Sequence, residues 1–262
     1  MIPSDDLPRT LLEHVPAELM KYTCATENLQ DFNLTGFEVY TMLNLAALMH
    51  SGKRLHEFES ILDFGCGAGR LLQFIPNAVH PKVHGTDVNK SLIDFVNQTF
   101  PEVTTCVNDF DPPLIYPSEV FDLIYSFSVF SHFTQAGELA WLQELARVGK
   151  QGAIYMITIH GEYYLDLWFA GQRNEIDSKG GFHYINVHTR DGSEMDFPEG
   201  YEASFHTHNN IHSTWSQWFN ILQIYEGASV KEYLWPDAPI RLLSDLTKTR
   251  PMGQALVVMT KK

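Results

Sequence analysis

The sequence predicts an α/β fold: a doubly wound, mostly parallel sheet preceded by a helical lead-in and interrupted by a lid-like insertion. Three observations predict it. From residue 60 onward, short apolar runs alternate with helix-length amphipathic stretches, the pattern of strands covered by helices on both faces. Several of those runs end in glycine or aspartate, residue types that let a chain leave a strand sharply. The 262 residues are 44% hydrophobic and 19% charged, a balance that suits one substantial buried core rather than a disordered or fibrous chain.

Residues 1–56 read as the lead-in. Within it, Tyr40, Leu43, Ala47 and Leu48 trace a helical stripe from about Glu38 to His50, stopped at Ser51-Gly52. The domain proper is expected over 57–262. Ile61 to Phe64 reads as a buried strand, and the glycines after it are expected to open a helix carrying Leu71, Leu72 and Ile75. Lys82 to Thr86 gives a second strand. A helix then starts near Ser91, capped by Asn89 or Ser91, with Leu92, Phe95 and Val96 inward. Val103 to Val107 and Val120 to Tyr125 are the third and fourth strands. Thr134 or Ser131 caps a helix with Leu139, Leu142 and Leu145 on one face, ending at Gly149, and Ala153 to Ile159 is the fifth strand. Residues 160–212 break the rhythm and read as an irregular insertion that shapes a site. A short helix from Ser213 through Trp215 and Trp218 leads to a sixth strand at about Asn220 to Tyr225, and Ala255 to Thr260 is the last.

Composition narrows the partners. A net charge of -14 repels polyanions, so nucleic acid is not expected. Cys24, Cys66 and Cys106 have no paired spacing and read as reduced thiols. No apolar run approaches the roughly 18 residues of a membrane span, so a soluble, cytoplasmic protein without membrane contact is expected.

The richest segment is Asp63-Phe64-Gly65-Cys66-Gly67-Ala68-Gly69-Arg70. Glycines between a strand and a helix let a ligand approach the backbone, and a helix start offers N–H groups to an anion. The spacing is Gly-x-Gly-x-Gly rather than the Gly-x-Gly-x-x-Gly of dinucleotide sites. Asp87 ends the second strand, where a carboxylate can accept both hydroxyls of a ribose. Asp109, with Phe110 beside it, ends the third. In an open parallel sheet such ends meet at one crevice.

Residues 61 to 127 resemble the cofactor half of class I S-adenosylmethionine-dependent methyltransferases, and the likeness extends through Ser128 to His132. The resemblance implies a Rossmann-like fold of seven strands, the last two an antiparallel hairpin, and S-adenosyl-L-methionine as cofactor. It implies that Gly65 and Gly67 approach the methionine part, with Asp63 and Cys66 also in the cofactor site, Asp87 holds the ribose, Val88 packs on adenine, Asp109 and Phe110 contact the adenine edge, and Ser126 lies near the amine. Arg70 either pairs with the cofactor carboxylate or is a surface arginine on a first helical turn. His132 and His160 follow the fourth and fifth strands and are the candidate bases, each with the alternative of a capping or buried hydrogen-bonded histidine. His206, His208 and His212, and His183 with His188, have spacings open to a metal, but they read as loop histidines lining the acceptor pocket or solvent, and no metal is expected. The expected activity is O- or N-methylation of a small-molecule acceptor. The competing readings are a non-enzymatic cofactor-binding sensor and an NAD(P)-dependent oxidoreductase.

Overall fold

A computed structural model describes residues 11–75, 82–186, 202–227 and 253–262. The elements are α1 (Ala17–Cys24), α2 (Leu29–Ser51), β1 (Ser60–Phe64), β2 (Lys82–Asp87), α3 (Lys90–Thr99), β3 (Thr104–Val107), β4 (Phe121–Ser126), α4 (Gln135–Val148), β5 (Gly149–Ile159), α5 (Glu162–Trp168), α6 (Arg173–Ser178), β6 (Phe182–Asn186), β7 (Glu202–His206), α7 (His208–Thr214), β8 (Phe219–Tyr225) and β9 (Ala255–Lys261). Seven strands form one sheet in the order β3-β2-β1-β4-β5-β9-β8. β1 pairs in parallel with β2 and β4, β2 with β3 in parallel, and β8 with β9 antiparallel. The doubly wound sheet with an antiparallel final hairpin is therefore as the sequence predicts. Among the described residues, no helix is long and apolar enough to cross a membrane.

The chain divides into two compact units. The first comprises the described residues up to Phe127 together with Arg147–Tyr155, and the second Ser128–Ala146 with the described residues from Met156 on. In the first unit every residue of β1 is buried. α2 starts nine residues earlier than its apolar stripe suggests, because the Asn28 side chain accepts from the N–H groups of Gln30 and Asp31. It stops at Gly52, whose φ of 72° places it in the left-handed region. Asn89 caps α3 by accepting from Ser91 N–H.

The expected helix after the glycine motif is not formed. A turn leads into a single 3-10 turn at Leu72–Phe74, since Gly65, Gly67 and Gly69 have φ of 82°, 56° and 78°, and alternate left-handed residues cannot propagate a right-handed helix.

The second unit also corrects the sequence reading. The described part of residues 160–212 is regular, holding α5, α6, α7 and a two-stranded antiparallel sheet of β6 and β7. The short helix lies earlier than expected, at His208–Thr214, because Thr207 accepts from Asn210 N–H and fixes its start. On α4, capped by Thr134, the buried set includes Glu138 at 1% exposure. Its two oxygens accept from Trp215 Nε1 and meet His206 Nε2, which is what allows a carboxylate in that core.

Candidate functional site

In the first unit, the end of β1 is stitched to the end of β2. Gly65 N–H and Cys66 N–H both donate to the Thr86 carbonyl oxygen, at 2.8 and 2.9 Å. Gly67 N–H donates to Asp87 Oδ2 at 3.0 Å, and Asn89 N–H to Asp87 Oδ1 at 2.9 Å. Ala68 N–H donates to Thr23 Oγ1 at 3.0 Å and Gly69 N–H to the Cys66 carbonyl oxygen at 3.0 Å. All five N–H groups from Gly65 to Gly69 are thus already committed. The expectation that this turn offers N–H groups to an anion is corrected, and the reason is that the Thr86 and Cys66 carbonyl oxygens, Asp87 and Thr23 occupy them.

Two glycines are required by close contact. A Cβ on Gly67 would stand 2.6 Å from Thr23 Cγ2, and one on Gly69 2.6 Å from the Phe100 ring. Cys66 turns its thiol inward, where a Cβ on Gly85 would lie 3.0 Å from Sγ, and burial pushes that thiol well up.

Three ionisable side chains gather around the turn. Asp63 is 1% exposed and accepts from the Tyr125 hydroxyl at 3.1 Å. Burial pushes its carboxyl up to about 8, against the opposing effect of that hydrogen bond. Burial also raises Asp87, against the N–H donors of Asn89 and Gly67. Arg70 is 7% exposed, which removes the surface-arginine alternative. Its Nη1 donates to Thr35 Oγ1 at 3.2 Å, and its guanidinium lies 5.0 Å from the Phe127 ring centroid. Asp63 and Cys24 act on it electrostatically, and among the described residues no carboxylate forms an ion pair with it. A buried guanidinium without a counter-ion is costly unless an anion completes it.

The remaining predicted residues divide. Ser126 is buried, with its hydroxyl donating to the Phe64 carbonyl oxygen at 2.9 Å, which locks β4 to β1. Asn108 N–H donates to the Asp87 carbonyl oxygen, so β3 ends beside β2. Val88 and Phe110 are 42% and 81% exposed, and Asp109 is exposed between those strand ends. Sequence reasoning missed Thr23, Thr35 and Tyr125. Only Tyr125 left a signal, as the strand residue before Ser126.

The second unit holds His132 and His160, and carbonyl oxygens of β7 order them. His132 Nδ1 lies 2.7 Å from the Glu202 carbonyl oxygen, and His160 Nδ1 3.2 Å from that of Ser204, two residues along the strand. His206 N–H donates to the His160 carbonyl oxygen at 2.9 Å. The two rings are 6.4 Å apart. Burial, followed by the charge of His132, pushes His160 down to about 3. The three later histidines do not act as a set: His206 is buried against Glu138, His208 meets Glu226 at 2.8 Å, and His212 is exposed. His206 is therefore a strand residue in the core rather than a loop histidine, held there by Glu138. His188 lies outside the described residues. Among the described residues no three His, Cys, Asp or Glu side chains are grouped to hold a metal.

Residues 61–152 match the family model described as a methyltransferase domain. The matched segment holds the glycine turn, β2, β3, β4 and α4. The methyltransferase fold extends beyond the matched segment. An S-adenosylmethionine-dependent methyltransferase from Mesorhizobium loti superposes with a TM-score of 0.54 at 17% identity, over 77% of this chain and 90% of that one. A TehB-like SAM-dependent methyltransferase from Corynebacterium glutamicum gives 0.53 at 19% identity, over 95% of this chain and 100% of that one. A putative sarcosine dimethylglycine methyltransferase from Galdieria sulphuraria gives 0.53 at 13% identity, over 89% and 88%. None of the curated proteins compared matches the chain.

Proposed function

We propose that the chain transfers a methyl group from S-adenosylmethionine to an oxygen or nitrogen of a small-molecule acceptor, in a cytoplasmic setting. The observation that carries this is the buried Arg70 guanidinium beside Asp63, at a turn built of Gly65, Gly67 and Gly69 and clamped by Asp87. An amino-acid headgroup has one carboxylate and one ammonium, and a buried cation and a buried acid side by side are its complement. The residues therefore fit the cofactor. Arg70 holds the carboxylate, Asp63 takes the ammonium, and Gly65, Cys66 and Gly67 admit the methionine chain to the backbone. Asp87 accepts from the ribose hydroxyls through the lone pairs that Gly67 and Asn89 leave. Val88 and Phe110 cover the adenine, Asp109 accepts from its amino group, and Ser126 holds the end of β4 against β1 beside the amine.

When bound, the cofactor supplies a methyl carbon on a sulfonium. The chain supplies alignment, dryness and a place for the acceptor's proton. His160 stays neutral across the physiological range, so His132 is assigned as the proton acceptor. Residues 1–56 serve as a cap, and 160–212 shape the acceptor side.

Calorimetric titration tests the reading. S-adenosylmethionine and S-adenosylhomocysteine are expected to bind and NADH not. Asp87→Ala is expected to weaken S-adenosylhomocysteine by about 1–3 kcal/mol through the lost ribose bonds. Binding of NADH alone would contradict the proposal, and unchanged affinity in Asp87→Ala would remove Asp87 from the site.

A further inference from the structure

Glycine takes left-handed and right-handed backbone angles almost alike, so the turn from Gly65 to Gly69 is held in shape by the groups that accept from its N–H donors. Carbonyl oxygens of Thr86 and Cys66 take three of the five. Side chains take the other two: Asp87 Oδ2 accepts from Gly67 N–H, and Thr23 Oγ1 from Ala68 N–H. Asp87 lies 20 positions along the chain at the end of β2, whereas Thr23 lies 45 positions back, on α1. The Thr23 hydroxyl has a fixed direction. Its proton goes to the Leu19 carbonyl oxygen at 2.8 Å, inside α1, which leaves a lone pair for Ala68 N–H at 3.0 Å. Its methyl lies over the turn, where a Cβ on Gly67 would stand 2.6 Å from Cγ2. Packing brings α1 to this place, since Met20, its one buried residue, shares an apolar cluster with Val15, Phe32, Ala68 and Leu92. Ala68 N–H belongs to the peptide plane after Gly67, and Gly67 N–H to the plane before it. The φ and ψ of Gly67 alone join the two planes, with φ at 56°. Holding the later plane through Thr23 therefore directs the earlier N–H, and with it the Asp87 oxygen 3.0 Å away.

We propose that Thr23 is a positioning residue for the cofactor ribose: from α1 its hydroxyl fixes the Gly67–Ala68 peptide, and the Gly67 N–H then aims the Asp87 carboxylate at the ribose hydroxyls. The proposal rests on the methyltransferase reading and adds to it a residue of the lead-in that acts through Asp87. Asn89 N–H holds the other Asp87 oxygen at 2.9 Å from the same strand end, so without Thr23 the carboxylate keeps one of its two settings and loses the other. A side chain without the hydroxyl also leaves Ala68 N–H unmet beside the turn.

The test titrates S-adenosylhomocysteine and its 2′-deoxy analogue into the full chain, Thr23→Val and Thr23→Ser by calorimetry. Valine keeps the branched shape without the hydroxyl, and serine keeps the hydroxyl. Wild type is expected to bind the 2′-deoxy analogue about ten-fold more weakly than S-adenosylhomocysteine. In Thr23→Val, S-adenosylhomocysteine is expected to weaken about ten-fold and the analogue less than about threefold, so that discrimination falls to about threefold or below. Thr23→Ser is expected to discriminate as wild type does. A merely structural contact would weaken both ligands alike and leave the discrimination intact, which overturns the proposal. Thr23→Val equal to wild type, Thr23→Ser failing as Thr23→Val does, or wild type binding the two ligands equally overturns it as well. Amide exchange in the wild-type chain decides even where a variant fails to fold. S-adenosylhomocysteine is expected to slow Gly67 and Ala68 N–H together by at least about ten-fold, and slowing of Gly67 with Ala68 unchanged overturns the proposal. Failure of wild type to bind S-adenosylhomocysteine takes down the methyltransferase reading and the proposal with it, whereas the Thr23 outcomes leave that reading standing, so the two failures are distinguishable.

Discussion

Replacing Arg70 by methionine is expected to weaken S-adenosylhomocysteine by about 3 kcal/mol, roughly 150-fold in Kd, while leaving the ligand-free chain no less stable. The two halves of this result have one cause. In the ligand-free chain the guanidinium is 7% exposed and, among the described residues, meets the Thr35 hydroxyl, Cys24 and the Phe127 ring, with Asp63 acting on it electrostatically. Burial lowers its pKa, which means that the charge is poorly compensated. Methionine removes that charge and fills similar space. What it cannot replace is a planar donor pair for a carboxylate, and Arg70→Lys, a point charge, is expected to fall between. Calorimetry gives the affinity and thermal unfolding the stability. Kd within about threefold of wild type would remove Arg70 from the headgroup site. Loss of binding together with a collapsed unfolding midpoint would make its role structural.

Asp63→Asn is expected to remove a pH dependence from both folding and binding. Asp63 titrates at about 8 in the folded chain because burial disfavours its charge. Its unfolded value is about 3.9. The folded value is the higher one, so the contribution of Asp63 to stability is fully present below about pH 4 and is lost as pH rises toward 8. The variant has no proton to lose across that window. At pH 8 it should be more stable than wild type by a few kcal/mol, read by denaturant titration. Holding an ammonium requires the ionised acid, so near pH 7 cofactor binding should release up to about one proton. Calorimetric enthalpies in buffers of different ionisation enthalpy count that proton. Its persistence in Asp63→Asn would assign it to another group.

The sheet was legible because its strands carry their own signature. Ile61 to Phe64 is a continuous apolar run, as a strand buried on both faces must be, and β2 to β5 fall within a few residues of their sequence-predicted bounds. The turn after β1 was half legible: three glycines at alternate positions announced a close backbone approach. Their left-handed φ values forbid the expected helix, and Gly67 and Gly69 lie against Thr23 and Phe100 from distant parts of the chain. The same limit applies to Arg70. Its surroundings come from Thr35 and Phe127, so no local pattern separated a surface arginine from a buried one. α1 was missed because only Met20 of its eight residues is buried, which leaves no stripe to read. Glu138 and His206 stand 68 positions apart, and each alone reads as an ordinary polar residue. His132 and His160, which contact β7, were placed correctly after β4 and β5, but their tautomers depend on carbonyl oxygens of a strand that the sequence reading took for irregular loop.

A crystal structure of the full chain with S-adenosylhomocysteine tests the cofactor site most directly. The account predicts the ligand carboxylate on the Arg70 guanidinium, its ammonium at Asp63 and both ribose hydroxyls on Asp87. A ligand bound elsewhere, with no contact to Arg70, would contradict it.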